Sequence, residues 1–121
     1  MFKAITIASE ILGQAKERGI PDITPMKLIK LVYVCNGFYL AFRRKPLIDA
    51  PITAWKFGPI IAPLYYEYKK EGNTVITERP LIYDLDSLTW NPLSIDEECA
   101  DKKEVDFAHS IIKQVMDTYG M

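Results

Sequence analysis

The sequence predicts a mainly α fold, a compact helical domain around a buried central helix at about residues 25–42, with a small β element. Three observations predict it. Apolar residues recur at helical spacing in three long stretches of the chain. Strand-like alternation is confined to short stretches in the middle. The length of 121 residues suits a single domain, which we place at residues 1–121.

The two helices of the first third have clear boundaries. The first is predicted at residues 3–18, because Gly19 suits the position just past a helix end. The second begins after Thr24, a candidate N-cap, with Pro25 at the first helical position, where its missing N–H costs nothing. From there to about Phe42, apolar residues occupy nearly all sides of the helix, which is typical of a buried element.

The middle of the chain predicts short elements joined by turns. The segment ITAWKF is consistent with a strand, after which Gly58 and Pro59 redirect the chain. Pro63 begins a short helix that Gly72 ends. The segment NTVITER and residues 81–83 predict two further short strands, which would join ITAWKF in one small sheet.

The last helical region carries the third apolar stripe. Ser94 and Glu97 form a candidate capping box, in which each side chain would bond the other residue's free backbone N–H. The stripe lies on one face of the helix and is expected to pack on the core. Its members are Ala108, Ile111, Ile112, Val115, Met116 and Tyr119.

The charge balance argues against general binding to nucleic acid or membranes. The net charge is −1, from 15 basic and 16 acidic residues, so the chain has no excess positive charge to attract phosphates. The one basic triplet, Arg43, Arg44 and Lys45, is interpreted as a solvated helix end. No apolar run of about 18 residues and no signal-peptide pattern occurs, so we expect a cytoplasmic protein.

The titratable residues do not form a catalytic or metal-binding pattern. Cys35 and Cys99 are expected to be free thiols in a reducing compartment, with Cys35 as buried packing. His109 lies too far from Cys99 along a helix to form a catalytic pair, and is interpreted as structural or surface-exposed. Asp84 and Asp86 are interpreted as part of a solvated loop rather than a magnesium site. We therefore expect no catalytic residue, no metal and no cofactor.

The stretch AWKFGPIIAPLYYEY, which begins at residue 54, is rich in aromatic residues around a Gly-Pro pair. Tyr and Trp on rigid backbone are typical of protein interfaces. Trp55 is favoured as packing that seals the sheet onto the central helix, whereas Lys56, Tyr66 and Tyr68 are expected to be exposed. The candidate partner-binding residues are Trp55, Lys56, Phe57, Gly58, Pro59, Tyr65, Tyr66 and Tyr68.

Residues 24–72 resemble the Panacea antitoxin domain, a family that includes SocA-like antitoxins. The helix is similar to the family pattern KLxKLxYxxxGxYLA. The connector is similar to the pattern xPLxxxxIxAWxxGPVxPxxY, with Ile60 in place of the usual valine. The matching residues are Lys27, Leu28, Lys30, Leu31, Tyr33, Gly37, Tyr39, Leu40, Ala41, Pro46, Leu47, Ile52, Ala54, Trp55, Gly58, Pro59, Pro63 and Tyr65.

The resemblance implies an antitoxin of a bacterial or phage toxin–antitoxin pair, which neutralises a cognate toxin by direct protein contact and has no enzymatic activity. The alternative is an adaptor that delivers a partner protein to a cytosolic protease. A small enzyme is less favoured, because few polar residues could converge on a pocket. A DNA-binding autoregulator is also less favoured, because the charge balance supplies no basic face.

The end of the chain departs from the family pattern. The segment IIKQVMDTYG resembles the family's VxxxYG segment, after which the family usually continues into a segment with a His and a Pro-Trp, whereas this chain ends at Met121. The chain is therefore expected to lack that C-terminal segment. If the segment normally covers the last helix, part of the apolar stripe is uncovered here, and self-association becomes a further expectation.

Overall fold

The architecture is that of a computed structural model, which describes residues 1–56, 58–99 and 101–120. Helices dominate these residues and the strands form two antiparallel hairpins, so the prediction of a mainly α fold is confirmed. A short 3₁₀ turn, Lys69–Glu71, follows the third helix. In chain order the elements are α1 (Ala4–Glu17), α2 (Pro25–Arg43), β1 (Ile52–Trp55), β2 (Gly58–Ile61), α3 (Ala62–Tyr68), β3 (Leu81–Asp84), β4 (Thr89–Pro92), α4 (Ile95–Glu98) and α5 (Lys102–Tyr119).

Three long helices enclose the core. α1, α2 and α5 pack against one another, α3 packs on α1 and α2, and the short helix α4 contacts α1 and α5. Burying one large aliphatic side chain contributes roughly 1.5–3 kcal/mol, so these contacts are the main source of stability. Large side chains with almost no exposed surface include Ile7, Ile11, Leu28, Ile29, Leu64, Ile95, Ile112 and Met116.

α2 begins and ends as the sequence predicts. Thr24 Oγ1 accepts a hydrogen bond from the Lys27 backbone N–H at 3.3 Å, and Pro25 occupies the first helical position. Arg44 ends the helix in the left-handed conformation, with φ at 58°. Its N–H donates to the Leu40 carbonyl oxygen at 2.8 Å, which satisfies one of the last free carbonyls.

The prediction that α2 is buried on nearly all sides is wrong for one face. Val32 and Cys35 lie on the inner face and have no exposed surface. Tyr33 and Leu40 lie on the opposite face and are 43% and 46% exposed. The apolar residues around the helix therefore serve two surfaces, one inside the core and one open to solvent.

The small β element also differs from the prediction. β1 pairs with β2, whose first residues are Gly58 and Pro59, so the predicted turn residues belong to a strand. β3 and β4 form a separate hairpin instead of joining one sheet. The segment NTVITER forms no strand. Its Ile76 N–H donates to the Ile23 carbonyl oxygen at 2.8 Å, so a tertiary contact anchors the segment. β-branched residues favour extended backbone, which is why the sequence of this segment suggested a strand.

A buried asparagine fixes the chain after α2. Asn36 lies inside, and its Oδ1 accepts hydrogen bonds from the N–H groups of Leu47 at 2.8 Å and Ile48 at 3.3 Å. Phe2 adds a short parallel bridge to Ile48, and its N–H donates to the Leu47 carbonyl oxygen at 2.8 Å. These bonds position the chain that leads into β1 relative to the middle of α2.

The predicted last helical region is divided into two helices. Ser94 caps α4, but its Oγ accepts from the Asp96 N–H at 3.2 Å, whereas a capping box would use the Glu97 N–H. The Glu97 N–H donates instead to the Ser94 carbonyl oxygen at 3.3 Å. Asp101 caps α5 by accepting from the Lys103 N–H at 3.0 Å.

The apolar stripe of α5 is buried rather than uncovered. It faces α1 and α2, and of its members Tyr119 alone is exposed. The expectation that part of the stripe is uncovered is therefore wrong for every member except Tyr119. Arg18 at the end of α1 strengthens this packing, with Nη1 2.6 Å from Asp117 Oδ1. The buried members are Ala108, Ile111, Ile112, Val115 and Met116.

Candidate functional site

In the β1–β2 hairpin, β1 faces solvent and β2 packs on the core. Ile60 and Ile61 in β2 are buried, whereas every residue of β1 is exposed. Trp55 ends β1 opposite Gly58 and is 47% exposed. The expectation that Trp55 seals the sheet onto α2 is therefore wrong, because β2 is the strand that packs on the helix.

Trp55 belongs to a row of three aromatic rings. Tyr65 lies in the middle, with its ring centroid 5.0 Å from that of Trp55 and 5.5 Å from that of Tyr66, and both pairs are close to edge-to-face. Such pairs are favourable by about 0.5–1.5 kcal/mol and hold the rings in fixed orientations. Tyr65 is half-buried against the core, whereas Tyr66 is 67% exposed. We call Trp55, Tyr65 and Tyr66 the aromatic row.

Tyr68 does not belong to the aromatic row. It is 7% exposed, because two helical residues turn the side chain about 200° away from Tyr66. Burial, followed by the nearby carboxylates of Glu67 and Glu71, raises the pKa of the Tyr68 hydroxyl to about 12. The prediction that Tyr68 is exposed is wrong, and its side chain supports α3 from inside.

The remaining predicted partner-binding residues lie at the turn of the hairpin. Lys56 is exposed, and Gly58 and Pro59 are half-buried. Gly58 has φ at 124°, a conformation that residues with a Cβ atom rarely adopt. Phe57 lies outside the described residues. The orientation of β2 relative to β1 therefore depends on a glycine at this position.

A second exposed aromatic pair lies on the β3–β4 hairpin, and sequence reasoning did not single it out. Trp90 is 64% exposed and lies opposite Tyr83, with their ring centroids 5.2 Å apart. Leu81 is exposed on the same face two residues before Tyr83. The alternation of Leu81 and Tyr83 was visible in the sequence, but the pairing with Trp90 requires the hairpin.

An arginine joins α1 to the chain before and after the second hairpin. Arg79 Nε donates to Ser9 Oγ at 3.1 Å, and Arg79 Nη2 donates to the Leu93 carbonyl oxygen at 2.9 Å. Ser9 Oγ donates to the same carbonyl oxygen at 2.6 Å, and Glu10 Oε1 lies 3.9 Å from Arg79 Nη2. A Cβ on Gly13 would lie 2.8 Å from Arg79 Nη1. The guanidinium therefore lies directly on α1.

A groove of about 560 Å³ lies beside this arginine, between α1 and residues 75–81. Its walls are mostly aliphatic, and they include Leu12, Ile23 and Ile76. Lys16 and Glu78 are among the few charged residues that line it. A catalytic pocket generally needs several converging polar groups, so this lining does not favour an enzyme.

The ionisable residues join elements rather than converge on one point. Among the described residues, no group of three His, Cys, Asp or Glu side chains could hold a metal ion. His109 Nε2 lies 3.0 Å from Asp96 Oδ1, and this hydrogen bond holds the pKa of Asp96 below its usual value. Burial raises the pKa of the Cys35 thiol to about 12, so little of the reactive thiolate forms near neutral pH.

Glu104 gathers polar groups where α2 ends against α5. It accepts a hydrogen bond from the Tyr39 hydroxyl, and burial together with this bond raises the pKa of Tyr39 to about 12. Its carboxylate also lies 3.8 Å from Arg43 Nε and 3.9 Å from Lys45 Nζ. The Arg43 guanidinium lies over the Phe107 ring at 3.9 Å. Arg43, Arg44 and Lys45 are all exposed, which agrees with the interpretation of the basic triplet as a solvated helix end, and two of them also pair with Glu104.

The geometry defines a mainly α domain with exposed aromatic side chains on α3 and on two hairpins. No helix in the described part of the chain is long and apolar enough to cross a membrane. The family model "Antitoxin SocA-like, Panacea domain" matches residues 28–121. The chain belongs to this SocA-like, Panacea-domain antitoxin family, which confirms the resemblance found in the sequence.

A curated relative supports the same assignment. Antitoxin SocA of Caulobacter vibrioides (strain NA1000 / CB15N) is 32% identical to this chain over 82 residues. The match covers 68% of this chain and 43% of the relative, so it takes in less than half of the relative's length. No solved structure matches the chain.

Proposed function

We propose that this protein is a cytoplasmic antitoxin that neutralises a cognate toxin by binding it directly. Membership of the SocA-like family supports a role as an antitoxin and suggests that the protein is not an enzyme. Direct binding suits a chain whose described residues offer exposed aromatic side chains but no cluster of metal-ligating groups.

We propose that the toxin binds at the aromatic row. Trp55 and Tyr66 are exposed, yet both are oriented by contact with Tyr65, which packs on the core. Rings fixed in this way lose little conformational entropy on binding, which is why Trp and Tyr dominate binding energy at interfaces. Lys56, Gly58 and Pro59 border the row at the turn, and we include them in the proposed surface.

Toxin neutralisation in cells tests the proposal. A candidate toxin, sought among the products of neighbouring genes, is induced with the parent chain, with Trp55→Ala/Tyr66→Ala, or with the matched control Trp90→Ala/Tyr83→Ala. The control removes the other exposed aromatic pair. We expect loss of rescue with the first variant and full rescue with the control, because truncation of an interfacial aromatic anchor costs about 2 kcal/mol or more of binding.

Melting temperatures and pull-downs complete the experiment. Both double variants should melt close to the parent, since each removes exposed side chains. A stable toxin complex that the Trp55→Ala/Tyr66→Ala variant no longer forms would support direct binding. Disappearance of the toxin from cells that have an intact protease would favour the adaptor alternative. Equal rescue by all variants would place the toxin-binding surface elsewhere.

A further inference from the structure

The open face of α2 carries an apolar stripe with basic residues at both ends. Its residues recur at three- and four-residue spacing, which places them on one side of the helix. All of them are exposed, although the inner face of the same helix is among the most buried surfaces of the protein. We call this surface the outer α2 face, and its residues are Lys30, Tyr33, Gly37, Leu40, Ala41 and Arg44.

Gly37, in the middle of the outer α2 face, is not required by the fold. It lies in the interior of a helix, where glycine is less favourable than alanine. A Cβ added at Gly37 would meet no atom within 4 Å. An alanine would therefore fit this chain without strain. Glycine permits close approach of another backbone, so the residue suits contact with a second molecule.

Charge indicates which kind of molecule would make this contact. α2 carries no acidic residue, and its outer face has Lys30 and Arg44 at its two ends. Lys27 and Arg43 form ion pairs, but neither Lys30 nor Arg44 is in an ion pair with any of the described residues. Their Cα atoms are about 20 Å apart at the rise of an α-helix. A complementary surface would carry carboxylates at a similar separation.

The same charges disfavour a second copy of this chain. A two-fold dimer brings the same patch of both copies together. Two outer α2 faces packed antiparallel would bring Lys30 of each copy towards Arg44 of the other, and two packed parallel would bring like residues together. Either arrangement opposes like charges at both ends, which costs binding energy.

We propose that the outer α2 face binds an amphipathic helix of a partner protein, with an apolar stripe and acidic residues about 20 Å apart. Tyr33 and Leu40 contact the apolar stripe, the partner helix crosses closest at Gly37, and the two basic residues pair with its carboxylates. The inference rests on the proposed function for the biological source of the helix, which would be the toxin. The toxin would then contact two surfaces of this protein, the aromatic row and the outer α2 face.

Synthetic peptides test the proposal without the toxin. The probes are two fluorescent helical peptides of about 20 residues, long enough to span the face. Both carry the same leucine stripe, but one has glutamates and the other lysines at both ends. We expect the parent protein to bind the glutamate peptide at least about 10-fold more tightly by fluorescence anisotropy. Added salt should narrow this difference.

Two variants locate the binding. Gly37→Leu should weaken binding of the glutamate peptide at least about 10-fold, because the new side chain keeps the helices apart. Lys30→Glu/Arg44→Glu should reverse the preference towards the lysine peptide. The double variant changes only exposed side chains, so it keeps the test valid if Gly37→Leu fails to fold.

The possible outcomes are distinct. Equal affinity for the two peptides, or a preference that the charge reversal leaves unchanged, would overturn the proposal. A parent dimer that Gly37→Leu dissociates in light scattering would assign the face to a second copy and also overturn it. If the parent chain failed to rescue cells from the toxin but still bound the glutamate peptide more tightly than the lysine peptide, the proposed function would be contradicted. The inference about the outer α2 face would still hold.

Discussion

Asn36 directs the chain from inside the core, which is an unusual place for a polar side chain. Its Oδ1 accepts both the Leu47 and Ile48 N–H groups, so one amide satisfies two buried donors. Water cannot replace it without entering the core. The loop between α2 and β1 is therefore held both by this side chain in the middle of a helix and by the backbone of Phe2.

Asn36→Ala is expected to destabilise the protein by about 1–3 kcal/mol, because it leaves two buried donors without their acceptor. Urea denaturation followed by circular dichroism measures the change. Asn73 provides the control, since it is exposed and its replacement by alanine should change the free energy of unfolding by less than about 0.5 kcal/mol. Equal effects of the two variants would show that the Asn36 bonds contribute little.

Asp117 makes stability depend on pH. Hydrogen bonds from Arg18 and then Lys113 hold its pKa below the usual value. A carboxyl group with a depressed pKa stabilises the fold above its unfolded pKa, and this contribution disappears as the pH falls through the folded pKa. Asp117→Asn should therefore lower the melting temperature at neutral pH, and the difference from the parent should shrink as the pH falls below about 4.

Thermal melts at several pH values check this dependence. Asp106→Asn is the matched control, because it removes an exposed carboxylate of the same helix that does not contact Arg18. The control should change the free energy of unfolding by less than about 0.5 kcal/mol. A deficit of Asp117→Asn that stays constant from neutral to strongly acidic pH would contradict the proposed pairing.

At the scale of elements, two glycines with open space around them differ in whether the backbone conformation requires glycine. Gly58 has φ at 124° in β2, whereas Gly37 lies inside α2. A Cβ meets no atom within 4 Å at either position. The difference between them is therefore one of backbone conformation rather than of packing.

Alanine substitution separates these two cases. Gly58→Ala should destabilise the protein by about 1 kcal/mol or more, because a Cβ strains the positive φ. Gly37→Ala should stabilise it by about 0.5–1 kcal/mol, because alanine favours the helix and limits the unfolded chain. Denaturant unfolding of both variants provides the measurement. Destabilisation by Gly37→Ala would mean that the outer α2 face is constrained within this chain.

The sequence predicts the helices better than the strands, for a physical reason. Caps such as Thr24 and periodic apolar residues act within a few positions, so the bounds of α2 can be read locally. Strand pairing depends on distant partners. Residues 73–79 have β-branched side chains but no strand neighbour, whereas Gly58 and Pro59 look like a turn and yet pair with β1.

The candidate site was predicted only in part, because local sequence shows helical geometry but not the contacts between distant residues. Exposure of Tyr66 and burial of Tyr68 follow from helical geometry once one face of α3 is known to be inside. The exposure of Trp55 depends on which strand of the hairpin packs on α2, and local sequence does not contain that information. Asn36 and Arg79 have no local signal, since each bonds residues that are distant in the chain.

At the scale of the whole molecule, the two thiols report different events. Cys35 is buried in α2, and Cys99 is half-exposed. In native buffer we expect the half-exposed Cys99 thiol to react quickly with a chromogenic disulfide reagent. The second should react at least about 10³-fold more slowly, since a domain of ordinary stability rarely opens completely.

The labelling rate of Cys35 should rise in parallel with global unfolding as denaturant is added. A Cys99→Ser variant isolates the buried thiol and should show the slow phase alone. Equal reaction of both thiols in native buffer would show that α2 opens locally without unfolding of the remaining core.

The contact between Arg18 and Asp117 joins residues 99 positions apart in the chain. A growing polypeptide on the ribosome has α1 outside the exit tunnel well before α5 is synthesised. At about 5–20 residues per second, roughly 5–20 seconds pass between synthesis of Arg18 and synthesis of Asp117. In the later part of this interval, the side of α1 that will meet α5 is exposed to chaperones and to premature partners. The domain therefore cannot close until α5 has been synthesised, and chains that stall before α5 would be natural targets for quality control.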